Sequence, residues 1–353
     1  VILEEFLFTE ENCIVRDEDD NHFTNEIIIP ISTAVQHANG AKIKAQPIKE
    51  VKRIFHPNSQ WQYFKVYCGR MTAEKILRNT ILPFVEDGLE KGLFDYFFFL
   101  RYGDDSGHLR IRFYNADASK QPDLQTSFLN CLRPLLEAGY IDKVIIDTYK
   151  RELERYTPEL IDEAEQLFYS DSLAVLKLLR LLSEVVESDQ YRMLFALRGI
   201  DMFLGDFGYG PDQKLQFSRS LQKSFFAEFG GHPQLTRQLN SKYRSYQSRI
   251  FSHLNPGDDT ENGIDEAVEI LRQRSAMNTP ICETITRTLG IEDEGQLSSL
   301  LNSYIHMFVN RIFIVQQRKY ELVIYHFLER YYTSLQAIQK KKLSYTDTTK
   351  SIN

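Results

Sequence analysis

The order of strand-like and helix-like segments between Trp61 and Tyr149 limits the possible folds more than any other feature of this sequence. Four segments are rich in aromatic and β-branched residues, as β-strands are: WQYFKVYC, FDYFFFLRY, GHLRIRFY and KVIIDTY. Two longer segments, MTAEKILRNTILPFVEDGLEKG and LQTSFLNCLRPLLEAG, carry apolar residues at helical spacing, and each ends at a glycine. The order is β-α-β-β-α-β, which predicts a ferredoxin-like, split βαβ sheet unit.

Downstream of this unit the strand patterns disappear and amphipathic helices follow, such as PELIDEAEQLFYSDSLAVLKLLRLL. The predicted fold class is therefore α+β, with a ferredoxin-like unit at residues 59–152 followed by an all-helical unit at residues 153–337. The polar end, residues 338–353, is expected to fray. Upstream, residues 38–58 are interpreted as a linker, and residues 1–37 include a strand-like segment, NEIIIPI.

Composition excludes several classes of function. The formal net charge is −7, from 49 acidic and 42 basic residues, which offers no long-range attraction for nucleic acid or an anionic membrane. No apolar run approaches the ~20 residues of a membrane span, and the first residues do not resemble a secretion signal. The four cysteines include no CxxC pair, so we expect neither a zinc site nor a disulfide framework, and a cytoplasmic location fits best.

The third predicted strand has two chemically different faces. Leu109, Ile111 and Phe113 alternate with His108, Arg110, Arg112 and Tyr114. Since both helices of a ferredoxin-like unit cover one face, the apolar set should meet them and leave the polar set on an open face. We expect Arg101 of the neighbouring strand to join that polar set. Spacing alone leaves two interpretations: a solvated sheet face, or an anion-binding floor on which arginines hold a carboxylate.

Two further segments carry candidate residues. In TYKRELERY, Glu152 and Arg155 are three residues apart and would be neighbours on a helical turn, where a surface ion pair is the simpler interpretation. In SSLLNSYIHMFVNRIF, His306 shares a polar helical stripe with Ser299, Asn302 and Asn310. It could be an acid or base, or a hydrogen-bonded packing residue. The sequence contains no Gly-rich phosphate loop, metal-spaced histidine cluster or GxSxG motif.

Four segments, in order, resemble the C-terminal glutamate-elimination domain of class I lantibiotic dehydratases, which also occurs as a separate protein in thiopeptide pathways. They read RIFHPNSQWQYFKVYCG, FFFLRYGDDSGHLRIRFY, DTYKRELERY and SYIHMFVNRIF, and the similarity runs from about Phe55 to Arg330. Residues 1–37 resemble the end of the preceding glutamylation domain, which implies a fragment of a full-length dehydratase.

The resemblance implies a lyase. In this family the glutamylation domain transfers glutamate from glutamyl-tRNA to Ser or Thr of a precursor peptide, and the elimination domain expels it to leave dehydroalanine or dehydrobutyrine. The resemblance implies that Arg112, Arg155 and His306 carry the chemistry and that Arg110 and Glu152 assist. Arg112 and Arg155 are assigned to the glutamyl group and the transition-state charge, and His306 to proton transfer, as base or as acid.

The remaining expectations concern ligands and partners. Arg101 and His108 are predicted to contribute to substrate binding from the sheet. The implied partners are the glutamylated precursor peptide and a glutamylation domain in the same or another chain, and the family implies a possible homodimer. No cofactor is expected in this domain, because glutamyl-tRNA is used by the separate glutamylation domain.

Two other functions compete with the lyase. A thiopeptide pyridine synthase, which catalyses a cycloaddition, resembles the same domain but does not need the set Arg112, Arg155 and His306. The chain could also be a catalytically idle, peptide-binding partner of a separate glutamylating subunit. The arginine and histidine set disfavours the first alternative, and the glutamylation-like N-terminal residues disfavour the second.

Overall fold

A computed structural model describes residues 15–23, 51–103, 106–184, 187–254, 264–290 and 294–350. The chain divides into two compact units, Val1–Ile48 and Lys49–Asn353. The described part of the first unit is a hairpin of β1 (Val15–Arg16) and β2 (His22–Phe23), and the predicted strand NEIIIPI lies outside the described residues. Within the described ranges, no helix is long and apolar enough to cross a membrane.

The second unit contains both sheet and helices. Its strands are β3 (Ile54–Phe55), β4 (Trp61–Tyr67), β5 (Tyr96–Gly103), β6 (Gly107–Tyr114), β7 (Lys143–Asp147) and β8 (Tyr149–Lys150). Its helices are α1 (Arg70–Ile76), α2 (Leu82–Glu90), α3 (Gln121–Glu137), α4 (Leu153–Tyr156), α5 (Ile161–Leu182), α6 (Ser188–Asp206), α7 (Pro211–Glu228), α8 (Pro233–Leu254), α9 (Ile264–Leu289), α10 (Glu294–Ile312) and α11 (Gln317–Lys350). A π-helical turn, Leu77–Ile81, joins α1 to α2.

Strands β4 to β7 form one antiparallel sheet in the spatial order β5-β6-β4-β7. Helices α1 and α2 connect β4 to β5, and α3 connects β6 to β7. The predicted succession β-α-β-β-α-β is therefore confirmed, as is the predominantly helical second half. The class is α+β.

One face of the sheet packs on the connecting helices, as the alternation in β6 predicts. Leu109, Ile111 and Phe113 are completely buried. The Phe113 ring lies 5.8 Å from the ring of Phe84 on α2 and 5.1 Å from that of Phe128 on α3. Burial of this apolar set stabilises the sheet unit because each large side chain contributes about 1.5–3 kcal/mol.

The helical half closes the free edge of β5 with side chains instead of another strand. The Phe99 amide donates to Ser172 Oγ of α5 over 3.2 Å, and Arg311 Nε of α10 donates to the Phe99 carbonyl over 2.9 Å. Asn310 accepts from the Arg101 amide and donates to the Arg101 carbonyl, at 3.0 and 2.9 Å. These bonds satisfy an edge that would otherwise expose unpaired backbone groups.

Two segments at the margins differ from expectation. Ile54 and Phe55, within the predicted linker, pair with Lys150 and Tyr149, so β3 and β8 form a two-stranded ribbon. The polar end expected to fray from residue 338 is helical as far as Lys350, because α11 continues through it. The range 317–350 contains no glycine or proline, so nothing in it interrupts the helix.

Candidate functional site

Arg112 lies at the centre of an aromatic cluster on the sheet face that points away from α2 and α3. Its guanidinium carbon is 4.2 Å from the ring centre of Tyr63, 4.7 Å from that of Tyr149 and 5.1 Å from that of Phe98. Ring faces attract a cation, which holds the guanidinium in place. Arg112 is only 7% exposed, its Nε has no hydrogen-bond partner, and no described carboxylate pairs with it. A buried cation without a counter-ion favours binding of an anion.

The sheet face around Arg112 is not open, so the expectation of an open face was wrong there. The ribbon of β3 and β8 brings Tyr149 over this face, and the Trp61 ring lies 5.3 Å from the rings of both Tyr149 and Phe98. Arg112 is consequently buried, and His108 is buried against the rings of Tyr67 and Tyr102. Alternation along one strand cannot show this cover because the covering residues come from other segments.

His108 and Arg110 hold each other on the same face of β6. Arg110 Nε donates to His108 Nε2 over 3.2 Å, and His108 Nδ1 lies 3.2 Å from the Ser106 carbonyl oxygen. An imidazole that accepts at Nε2 carries its proton on Nδ1, so it donates to Ser106. The Arg110 guanidinium also stacks on the Tyr102 ring at 3.3 Å. Arg110 is therefore held by two neighbours beside the Arg112 cluster.

Arg101 lies on the opposite face, and the expectation that it joins the other arginines was wrong. The register pairs Arg101 with Leu109, and cross-strand partners point to the same side of a sheet. Its Nε donates to the Arg311 carbonyl over 3.0 Å and its Nη2 to Glu74 over 3.3 Å. Arg101 thus helps to join α1 and α10 to β5, and its role in substrate binding stays a prediction.

The segment after β8 carries Glu152 and Arg155. Arg155 Nη1 lies 3.5 Å from Glu152 Oε2, and the two side chains are 44% and 66% exposed. This confirms the predicted pair three residues apart, in an accessible position where the pair itself stabilises little. The next residue, Tyr156, is buried and stacks on Tyr304 of α10 with the ring centres 5.6 Å apart.

A buried ion pair, which the sequence reasoning missed, anchors this segment. Arg151 donates to both carboxylate oxygens of Glu165 on α5, over 2.8 and 2.5 Å, and Tyr149 Oη donates to the same carboxylate over 2.8 Å. Burial raises the pKa of Glu165, and the bonds from Arg151 and Tyr149 oppose that rise. Tyr149 and Arg151 are two residues apart in an extended segment, which was the available signal that both point to one side.

His306 has the partner that a proton-transfer histidine requires. Its Nδ1 lies 3.1 Å from both carboxylate oxygens of Glu321 on α11. The Glu321 side chain is completely buried and also accepts a hydrogen bond from Arg318. A carboxylate on Nδ1 orients the ring and leaves Nε2 to exchange a proton. The His306 side chain is 27% exposed. Sequence reasoning found the histidine but missed Glu321, which lies on another helix.

His306, Arg112 and Arg155 do not contact one another directly within the described ranges. Tyr304 and Arg311 on α10 face β5 and α4, whereas His306 lies about 200° around the helix axis from Tyr304 and faces α11. Within the described ranges, no hydrogen bond or ion pair links His306 to Arg112 or Arg155. By direct contact the candidates form two clusters, Arg112 with its three rings and His306 with Glu321.

The described side chains offer no site for a metal ion or a reactive thiol. No group of three or more His, Cys, Asp or Glu among them could hold a metal. Cys68, Cys131 and Cys282 are free, and burial raises the pKa of each thiol, so all three are protonated at neutral pH.

Comparison with known proteins places the sequence in a family context. Residues 61–332 match the family described as "Lantibiotic biosynthesis dehydratase C-term". The chain is 25% identical over 315 residues to the subtilin biosynthesis protein SpaB of Bacillus subtilis, covering 84% of this chain and 28% of that protein. It is 22% identical over 330 residues to the nisin biosynthesis protein NisB of Lactococcus lactis, covering 93% and 31%. The chain thus spans less than a third of these relatives.

Solved structures share the fold. The tRNA-dependent lantibiotic dehydratase MibB from Microbispora superposes with a TM-score of 0.63 at 19% identity, covering 81% of this chain and 29% of that one. The pyridine synthase TbtD from thiomuracin biosynthesis superposes with a TM-score of 0.52 at 13% identity, covering 79% of this chain and all of that one. At these identities the likeness concerns the fold alone.

Proposed function

Because the chain belongs to the lantibiotic dehydratase C-terminal family, we propose that it is a lyase that eliminates glutamate from O-glutamyl Ser or Thr in a ribosomal precursor peptide. A base removes the Cα proton, the electron pair forms the Cα–Cβ double bond, and the Cβ–O bond breaks. Glutamate leaves as a carboxylate, and dehydroalanine or dehydrobutyrine remains in the peptide. The bonds formed and broken balance without a cofactor.

Arg112 is the observation that carries this proposal. A guanidinium that is buried among three rings and has no carboxylate partner among the described residues is suited to the glutamyl group and the negative charge of its departure. Arg110, two residues before Arg112 on the same strand, is assigned to assist Arg112. Arg155, which is accessible and forms an ion pair with Glu152, supplies a second cation.

His306 is assigned to proton transfer. The motif resemblance selects it, and its Nδ1 contact with the buried Glu321 supports the assignment because the carboxylate orients the ring. His306 and Arg112 share no direct contact within the described ranges, so the two roles are assigned from separate observations.

The proposal includes partners and a fold assignment. The substrate is a precursor peptide glutamylated by a domain, in the same or a partner chain, that uses glutamyl-tRNA, and the lyase works in the cytoplasm. We assign the sheet unit to the ferredoxin-like arrangement, which the strand order β5-β6-β4-β7 and the two connecting helical segments support.

A chemically glutamylated precursor peptide tests the function directly. Wild-type protein should release glutamate with loss of its mass from the peptide. His306→Ala should slow release by ~10²–10⁴-fold, as expected when a proton-transfer group is removed. His56→Ala is the matched control, because His56 is exposed and outside both clusters. Release by His306→Ala at the wild-type rate would remove the histidine from the mechanism.

The same incubation separates the competing functions. Formation of a ring in a peptide that already carries dehydroalanines would identify a pyridine synthase. An unchanged peptide that nevertheless co-elutes with the protein would identify a binding partner without catalysis.

A further inference from the structure

A cavity of about 310 Å³ lies beside the end of β5 and the start of β6, and none of the residues assigned to the chemistry above lines it. The start of α1 and the segment that joins α10 to α11 complete its walls. Arg70 and Arg101 line the cavity, and none of its described lining residues is acidic. Asp104 and Asp105, which follow Gly103 in the sequence, lie outside the described residues. A space of this size accommodates a small molecule, and its charge favours an anion.

Arg101 is the buried cation of this cavity, and its charge is only partly balanced. Its side chain is 6% exposed, and its Nη1 has no hydrogen-bond partner among the described residues. Its Nη2 lies 3.3 Å from Glu74, but Arg192 Nη2 lies 2.7 Å from the same carboxylate, so two cations share one negative charge. Burial raises the pKa of the Cys68 thiol to about 11, and the charge of Arg101 opposes that rise. Because Cys68 also lines the cavity, the charge of Arg101 acts within it.

Arg70 supplies a second cation to the same cavity. It is exposed, and it forms no ion pair with a described residue. Its side chain passes two glycines that pair with each other across β5 and β6. A Cβ on Gly107 would lie 3.5 Å from Arg70 Cγ, and one on Gly103 would lie 4.0 Å from Arg70 Nη2. The cavity therefore has one cation in its buried wall and another within reach of solvent, which suits a carboxylate that enters from outside.

The remaining walls show what else the ligand contains and where it comes from. Ala73, Leu109 and Ile314 provide apolar surface, which suits a carbon skeleton better than an inorganic anion. Tyr102 lines the cavity, is 47% exposed, and its ring lies 3.3 Å from the Arg110 guanidinium carbon. The cavity thus adjoins the strand that carries the proposed site of glutamate release.

We propose that this cavity binds a small organic carboxylate and that its occupant is the glutamate that the lyase releases. Arg101 attracts the carboxylate from the buried side, and Arg70 attracts it from the solvent side. The choice of glutamate rests on the proposed lyase function, because glutamate is the carboxylate that the reaction produces. The preference for a carboxylate rests on the cavity itself.

The test is isothermal titration of the Arg112→Met protein with L-glutamate, because that variant lacks the guanidinium proposed to bind the glutamyl group. Two further changes are then added singly. Arg70→Glu reverses the exposed charge, and Val315→Trp fills the cavity from a lining position that is 36% exposed. Arg133→Glu and Ile338→Trp are the matched controls, since both positions are exposed and neither lines the cavity. Circular dichroism and urea unfolding confirm the fold of each variant.

We expect saturable binding of L-glutamate by Arg112→Met. Arg70→Glu should weaken it about 10-fold or more, because an attraction becomes a repulsion. Val315→Trp should weaken it similarly, and both controls should leave it unchanged. Absence of binding by Arg112→Met, or equal binding after Arg70→Glu and Val315→Trp, would overturn the inference.

Competition identifies the ligand. L-glutamine and inorganic phosphate should displace L-glutamate only at about 10-fold higher concentration or more, because the first lacks the side-chain carboxylate and the second lacks a carbon skeleton. Equal displacement by phosphate would show a site for any anion and overturn the preference for a carboxylate. Equal displacement by a peptide with an internal glutamate would show that a peptide side chain is the occupant and overturn the assignment to released glutamate. Failure of wild type to release glutamate would instead overturn the lyase function, while the titrations would still decide whether the cavity binds a carboxylate.

Discussion

Replacement of Arg112 by lysine separates a directional arginine from a simple positive charge. Lysine keeps the charge but cannot present two parallel donors to a carboxylate. Loss of one charge-assisted hydrogen bond corresponds to ~1.5–3 kcal/mol, and each 1.36 kcal/mol is tenfold in rate. We therefore expect Arg112→Lys to slow glutamate elimination about 10- to 100-fold.

The aromatic cluster also predicts opposite effects on stability for two variants. An ammonium is more strongly hydrated than a guanidinium, so placing lysine among Tyr63, Phe98 and Tyr149 should lower the free energy of unfolding by about 1–2 kcal/mol. Arg112→Met removes a buried, unpaired charge and keeps much of the volume. It should leave the free energy of unfolding unchanged or raise it, while it abolishes more activity than lysine does.

The assay is single-turnover glutamate release from a pre-glutamylated peptide, with urea unfolding of each variant. Arg133→Lys is the matched control, because Arg133 is exposed on α3, away from the cluster. Wild-type rates for Arg112→Lys would refute the directional role and leave only diffuse electrostatics. Loss of stability in Arg112→Met would show that the guanidinium serves the fold.

Three other predictions follow from contacts outside that cluster. Glu321→Gln removes the charge beside His306 Nδ1 and should slow elimination by about 10², with little change in circular dichroism; a wild-type rate would contradict the orienting role. Thr157→Gly relieves about 1–3 kcal/mol of backbone strain in the folded state. Glycine also makes the unfolded chain more flexible, which costs about 0.5–1 kcal/mol. Urea unfolding should therefore show that the free energy of unfolding rises by roughly 1 kcal/mol. Burial lowers the pKa of His326 from 6.5 to about 4. Between these values the unfolded chain binds a proton that the folded chain does not, so stability should fall as the pH drops through this window. His326→Phe should flatten this dependence in urea unfolding inside the window and leave it unchanged above the window, and an unchanged slope inside the window would exclude His326 as its source.

Local patterns were sufficient for the elements of the second unit. Strand alternation and helical spacing act over a few residues, so the sequence alone predicted β4 to β7, their connecting helices and α10. The polar stripe predicted for α10 is its more accessible side, with Ser299 exposed and Asn302, His306 and Asn310 partly exposed. The motifs also identified the family, because residue types at fixed spacing survive where overall identity is low.

Relations between distant segments required the tertiary structure. The side of the sheet on which Arg101 lies depends on its register with Leu109, and one strand read alone cannot specify its register. The cover over Arg112 comes from Tyr149, because β8 pairs with β3 far upstream. In each case a partner many residues away decides the outcome.

By itself, therefore, the sequence determined which segments are strands and helices, which residues share a face and which family the chain resembles. The tertiary structure decided that Arg112 is buried with no carboxylate from the described part of the chain, that Arg151 rather than Arg155 forms the buried ion pair, and that Glu321 orients His306. Periodicity is set by the local geometry of the backbone. Burial and charge pairing depend on how remote parts of the chain pack, and no local pattern encodes that packing.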